Sequence, residues 1–246
     1  MKKIAVSLLA CGDEHINECN YLLNSLSKYK EELNFIVASD SPEKIKEPAA
    51  KIIKINEDFN FNLKRIPIKV ALDEHDIVLS MDTDMFITNK NVDFSMLHDL
   101  DDGMYVWWLD KEVDFMGEKI TINGDGKSDV NNEYLRKLHE LNDSGQNLFF
   151  LDECFILLKL SDLTKKKEFI DNWNHIYKET LYTQPSNGLI GAMEGLIIYL
   201  SCLRSYIKIY NVKNDELFFN FFCNFYHCNH VTNRDELFKS NVKKII

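Results

Sequence analysis

The sequence predicts an α/β protein with a mostly parallel central sheet flanked by helices. Two observations carry that expectation. Over the first hundred residues, short apolar runs alternate with stretches of helical periodicity, the pattern of strands joined by helical crossovers. One of the runs, Ile77-Val78-Leu79-Ser80-Met81, ends on Asp82-Thr83-Asp84 and turns apolar again at Met85-Phe86-Ile87. A buried carboxylate is costly unless it finds a cation or several donors. In open α/β sheets, ligands bind at the carboxyl ends of the strands.

The elements follow in order. Lys3 to Ala10 is an apolar run of strand length, and Asp13 to Tyr29 carries Ile16, Cys19, Leu22, Leu23 and Leu26 at helical spacing. Asn34 to Ser39 is the second strand, closed by the turn signal Ser39-Asp40-Ser41-Pro42. Lys51 to Ile55 is the third strand. Leu63 to Leu72 reads as a helix with Pro67 near its start, where a missing N–H is tolerated. Asp76 to Met81 is the strand that leads into the paired acids. The second half is less regular. Gly103 to Leu109 reads as a strand. The polar stretch from Asp110 to Asn147 holds the hairpin signal Asn123-Gly124-Asp125-Gly126 and a helix over Asn131 to Leu141. Leu148 to Leu160 reads as one strong strand interrupted by Asp152-Glu153. Asp162 to Thr180 is an amphipathic helix with Asp162 in its cap region. Leu189 to Leu203 is a second helix, Tyr206 to Val212 a late strand, and the tail from Asp215 is rich in Phe. No repeat, linker or composition shift divides the chain, so one domain over residues 1–246 is expected.

Composition narrows the function. A net charge of −10 argues against bulk binding of nucleic acid or an acidic membrane, although a local basic cleft can still hold phosphates. No run approaches the roughly 20 apolar residues of a membrane span, and the apolar start reads as a core strand rather than a leader. The six cysteines lack the spacing of a disulfide framework and mostly sit in apolar runs, the pattern of reduced thiols in a cytoplasmic protein.

Six constellations carry candidate chemistry. Asp82 and Asp84, spaced i, i+2 after a buried strand, suit Mg²⁺ or Mn²⁺ together with phosphate oxygens and water; the alternative is a strand-end pair that caps a turn. Ala10, Cys11 and Asp40 stand at the ends of the first two strands, where small residues admit a planar base and an acid accepts from base or ribose; an ordinary strand-to-helix turn is the alternative. Lys64, Arg65 and Lys69 could face a diphosphate or form a solvated helix face. Of Asp152 and Glu153, one could point into a cleft and accept from hydroxyls, or both could be strand-end acids. Glu194 stands among Gly191, Ala192 and Gly195, suited to a base or a sugar-hydroxyl acceptor, or simply to a helix dipole. Lastly, Cys223, His227, Cys228 and His230 fit no closed zinc pattern. One of His227 and His230 could complete the sphere of a metal on the aspartates, and spacing does not choose between them.

This order of elements resembles the GT-A fold glycosyltransferases. The resemblance rests on strand ends at Ala10-Cys11 and Ser39-Asp40, a basic helix, an apolar strand with Asp82-Thr83-Asp84, the acidic strand Leu151-Asp152-Glu153, an amphipathic helix and a late His. The later layout is similar to glycogenin-like (family 8) enzymes and, more distantly, to blood-group-type (family 6) enzymes. The resemblance implies that Asp84 binds Mn²⁺ or Mg²⁺ directly, that Asp82 touches metal or ribose, and that His227 or His230 is a further ligand. It implies donor-sugar contacts at Asp152 or Glu153 and a nucleoside-diphosphate sugar, a UDP-sugar, as donor. The acceptor would be a glycan, protein or lipid. Residues 1–100 would form the nucleotide-binding half, and residues 101–246 the acceptor half and tail. The chemistry agrees: charge accumulates on the leaving diphosphate, and a divalent cation neutralises it. A phosphatase of the haloacid-dehalogenase type would carry its paired acids on the first strand. A nucleotidyltransferase would carry a Gly-rich basic loop there, unlike Cys11-Gly12-Asp13-Glu14. A non-catalytic nucleotide-sugar-binding protein on the same fold is the remaining alternative.

Overall fold

The computed structural model describes residues 3–89, 91–106, 109–112, 120–122, 126–128, 132–146, 148–151, 153–181, 190–211 and 216–227. The first half follows the expected alternation: β1 (Ile4–Ala10), α1 (Gly12–Leu26), β2 (Leu33–Ser39), β3 (Lys51–Lys54), α2 (Arg65–Glu74) and β4 (Ile77–Met81). A 3₁₀ turn, Phe61–Lys64, leads into α2. After β4 come β5 (Met85–Ile87), β6 (Gly103–Val106), β7 (Leu109–Glu112), the antiparallel pair β8 (Ile120–Ile122) and β9 (Gly126–Ser128), and α3 (Asn132–Leu141). The chain continues through β10 (Phe149–Leu151), β11 (Phe155–Lys159), α4 (Leu163–Thr180), α5 (Ile190–Arg204), β12 (Ile209–Asn211), α6 (Glu216–Phe222) and β13 (Phe225–His227).

Seven strands form the main sheet in the order β12-β6-β11-β4-β1-β2-β3. β11 lies antiparallel to both β4 and β6, and the other strands run parallel. Alternate residues of each strand serve opposite faces. On one face Ile4, Val6, Leu8, Leu79 and Leu157 meet the apolar stripe of α1 (Ile16, Cys19, Leu22, Leu23, Leu26) and the phenylalanines of α6. On the other, Ala5, Val78, Ile156 and Leu158 meet Ile68 and Leu72 of α2, Phe169 and Trp173 of α4, and Leu196 to Leu200 of α5. Both faces are covered, which explains why β1 and β4 read as continuous apolar runs.

Two expected strands are each split in the structure. Of Gly103 to Leu109, Gly103–Val106 form β6 in the main sheet, and Leu109 opens β7, which pairs with β10 in a separate ribbon; residues 107 and 108 lie outside the described residues. Leu148 to Leu160 divides likewise into β10 and β11. β11 starts where Phe155 pairs with Met81, the last residue of β4, and β10 ends at Leu151; Asp152 lies outside the described residues. The Phe-rich tail, given no element by sequence, supplies α6 and β13. Phe155 holds it: its ring stands edge-on to Phe222 at 5.0 Å and 5.1 Å from Phe225. Among the described residues, no helix is long and apolar enough to cross a membrane.

The β6–β12 edge is packed closely. Tyr105 and Tyr210 stack at 4.5 Å, and a Cβ on Gly103 would fall 2.5 Å from Cε2 of Tyr210 and 2.7 Å from the Lys208 carbonyl oxygen. The carbonyl is backbone, so the clash is not relieved by a rotamer change. Gly103→Ala is expected to lower stability by about 1–3 kcal/mol through overpacking, measured as a drop in the urea midpoint at unchanged slope.

Candidate functional site

The carboxyl ends of β1, β2 and β4 and the amino end of β11 converge on one edge of the sheet. At that edge Asp82 to Met85 form a tight turn between β4 and β5, closed by the Met85 N–H donating to the Asp82 carbonyl (3.2 Å). The Asp82 N–H donates to the Cys154 carbonyl at 2.8 Å, which ties this turn to the start of β11. Asp84 is buried, 5% exposed, while the Asp82 side chain is 28% exposed. Between them Thr83 turns inward and donates from Oγ1 to Oε2 of Glu18 at 2.9 Å.

Beneath the turn lies a buried cluster of charge. The Lys64 ammonium, 6% exposed, sits 2.6 Å from Oδ1 of Asp82 and 3.5 Å from Oε2 of the fully buried Glu194. Burial opposes the charge on Lys64, but Asp82, Glu194 and Glu153 more than reverse this and hold its pKa above the usual lysine range. Burial pushes the Glu194 carboxyl well above the carboxylate range; Lys64 opposes that shift, and Glu153 and Asp82 reinforce it. The backbone around Lys64 is pinned to α4. Trp173 Nε1 donates to Asn62 Oδ1 at 3.2 Å, and Arg65 donates from Nε to Asn174 Oδ1 at 3.0 Å. Glu194 is brought in by α5, which approaches β10 so closely that a Cβ on Gly195 would fall 2.5 Å from the Leu151 carbonyl oxygen and 3.2 Å from Oε2 of Glu153.

The structure therefore brings Lys64, Asp82, Glu153 and Glu194 together, with Asp84 on the same turn as Asp82. At the neighbouring strand ends, Ala10 and Cys11 are buried, and burial raises the Cys11 thiol. Asp40 is exposed and accepts from the Gly12 N–H at 3.0 Å. Gly12 opens α1 with φ +79, a conformation that glycine adopts without strain. Arg65 is engaged by Asn174, by the Asn62 carbonyl and by the face of Tyr177. Lys69 is exposed and pairs with Asp73 one helical turn on. Asp152 and His230 lie outside the described residues. The backbone of His227 is described: β13 runs antiparallel to β5 with His227 opposite Met85, next to Asp84.

Among the described residues, no three side chains of His, Cys, Asp or Glu are grouped to hold a metal. Asp82 and Asp84 share one turn, and paired carboxylates are the oxygen-donor type that suits Mg²⁺ or Mn²⁺.

Two features were not singled out from sequence. Glu18 lies four and eight residues before Leu22 and Leu26, so it belongs to the buried face of α1. A carboxylate on an apolar stripe was the available signal. His15 and Phe59 stack at 5.7 Å beside the end of β1; nothing in the local pattern joins residues so far apart.

No protein-family model matches the chain, and no curated protein sequence matches it. Solved structures do. The galactosyltransferase LgtC, solved in complex with donor and acceptor sugar analogs, superposes over 98% of this chain and 96% of its own, with a TM-score of 0.54 at 12% identity. The fold is the GT-A glycosyltransferase fold. The bifunctional glycosyltransferase WbbM matches with a TM-score of 0.52 at 13% identity, and the chain covers 49% of it. The glycosyltransferase GlyE of Streptococcus pneumoniae TIGR4 matches with a TM-score of 0.50 at 12% identity, and the chain covers 60% of it. At such identities the likeness is one of GT-A architecture, and function must be argued from the site.

Thr83 fixes the turn that presents both aspartates, through a buried bond to a charged acceptor. Thr83→Val is expected to cost about 1.5–3 kcal/mol, the scale of a hydrogen bond to a charged group. Chemical denaturation monitored by circular dichroism measures it.

Proposed function

We propose that the protein is a metal-dependent glycosyltransferase that moves a sugar from a nucleoside-diphosphate donor, a UDP-sugar, to a glycan, protein or lipid acceptor. The observation that carries this reading is the Asp82-Thr83-Asp84 turn, which presents its acids at the ligand-binding edge of a GT-A sheet with a buried cation and a second carboxylate behind it. The architecture shared with LgtC, a structure with donor and acceptor sugar analogs bound, supports it.

On this reading Asp84 and His227 hold Mn²⁺ or Mg²⁺, and Asp82 contacts metal or ribose. His227 is preferred to His230 because its backbone already lies across from Met85. The metal supplies Lewis-acid stabilisation of the leaving diphosphate. Ala10, Cys11 and Asp40, with the planar His15–Phe59 pair alongside, receive the nucleoside. Glu153, or Asp152, accepts hydrogen bonds from donor-sugar hydroxyls. Glu194 lies behind them, beside Lys64. In the reaction the bond from the anomeric carbon to the diphosphate breaks, a bond to the acceptor oxygen forms, and the acceptor hydroxyl gives up its proton. Arg65 and Lys69 are engaged elsewhere, so of the three cations only Lys64 stands at the site.

A thermal-shift panel of UDP, GDP and CDP and their sugars, with and without Mn²⁺, tests the donor class, because only a bound ligand raises the melting temperature by mass action. UDP and UDP-sugars are expected to stabilise the protein only when Mn²⁺ is present. Asp84→Asn is expected to lower that nucleotide affinity by at least about tenfold in calorimetry, the size of one lost charge-assisted contact. Equal affinity in wild type and Asp84→Asn refutes the metal assignment. Binding of a nucleotide sugar with no transfer to any acceptor class identifies a binding protein on the same fold.

A further inference from the structure

The cation nearest to Asp82 belongs to the protein itself. The Lys64 ammonium stands 2.6 Å from Asp82 and 3.5 Å from Glu194, with Glu153 adding to the negative charge around it. Charge-assisted N–H···O bonds close at about 2.7–2.9 Å, so a shift of under about 1 Å by the tip of the side chain would complete the second contact. Neither carboxylate oxygen of Glu194 accepts a hydrogen bond among the described residues, so the group has acceptor capacity in reserve. The backbone of Lys64 is fixed by Asn62 and Arg65 against α4, which confines any movement to the side chain.

We propose that Lys64 is a resident cation that passes from Asp82 to Glu194 when a divalent ion arrives at the turn, and so sets how tightly the turn holds that ion. The proposal rests on the reading of Asp82 and Asp84 as the metal-binding pair. A divalent ion on Asp82 repels an ammonium on the same carboxylate. A buried ammonium cannot simply be released, because an unpaired charge in the interior is strongly unfavourable. Glu194, fully buried and 3.5 Å from the same ammonium, is the acceptor that makes the exchange feasible. Lys64 and Glu194 are therefore positioning residues. They act on the ion through Asp82.

Binding of Mn²⁺ alone, followed by electron paramagnetic resonance of the free ion, tests this on the full chain. Wild type, Lys64→Met, Glu194→Gln and the double variant are compared, with melting curves to verify folding. Lys64→Met is expected to bind Mn²⁺ about tenfold more tightly, the scale of removing one neighbouring positive charge. Glu194→Gln is expected to weaken binding several-fold, because the lysine then loses the buried carboxylate 3.5 Å away and keeps only the more distant charge of Glu153. In the Lys64→Met background the same substitution is expected to change affinity by less than about twofold, since coupled residues are non-additive. An equal effect of Glu194→Gln in both backgrounds means that Glu194 acts on the ion directly by its charge, and overturns the exchange. If Lys64→Met alone fails to fold, the double variant, which strands neither buried charge, must bind Mn²⁺ at least about tenfold more tightly than Glu194→Gln; equal binding overturns the exchange. If Mn²⁺ binds none of the proteins, or binds Asp84→Asn as well as wild type, the metal site itself is refuted and the exchange falls with it.

Discussion

Acids at the edge of an apolar sheet need a counter-charge, and Lys64 supplies it to Asp82 and Glu194 at once. Three parts of the chain converge on that ammonium: the turn after β4, the 3₁₀ turn before α2, and the first turns of α5. Each approach is secured separately. Trp173 and Asn174 of α4 hold the 3₁₀ turn, Glu18 of α1 holds the aspartate turn through Thr83, and Gly195 lets α5 close on β10. Removing one member of a buried ion pair typically costs about 3–5 kcal/mol because the other is left uncompensated. The site is thus part of the core rather than an addition to its surface.

Much of this was legible in the sequence. The alternation of runs in the first hundred residues marked the strands and the helices between them, because β1, β2 and β4 are buried on both faces and contain little else than apolar residues. Asp82-Thr83-Asp84 was conspicuous for the same reason: it breaks a run that burial otherwise enforces. Glu194 was conspicuous among its small and apolar neighbours. Other features were not legible. That Lys64 goes inward while Lys69, five residues on, stays in solvent depends on what lies over the helix start, and the residues of α4 and α5 that pack there, Trp173, Asn174 and Glu194, come more than a hundred residues later. The split of 148–160 into two strands in different sheets depends on where Met81 ends, a matter of register that local pattern does not contain. The tail reads as a string of phenylalanines, and only the ring of Phe155 shows where they pack.

The choice between His227 and His230 has the same character. In sequence the two are equivalent, three residues apart in a polar stretch. The antiparallel pairing of β13 with β5 lays the backbone of His227 beside the residue that follows Asp84, while His230 lies outside the described residues. That pairing exists because α6 and Phe225 are drawn onto the sheet by aromatic packing. A ligand position proposed for chemistry is thus placed by hydrophobic contacts on the opposite face from Glu194.

The reversed strand has a consequence for how the chain is made. β4 is flanked by β1 on one side and by β11 on the other, and β11 is synthesised more than seventy residues after β4. Until Phe155 to Lys159 are available, β4 presents an open apolar edge of the kind that templates association with other chains. The paired acids at its end place charge beside that edge, as a gatekeeper beside an unavoidable hydrophobic strand does. A fragment that stops short of Phe155 keeps the whole expected nucleotide-side half of the sheet and still lacks the strand that closes it.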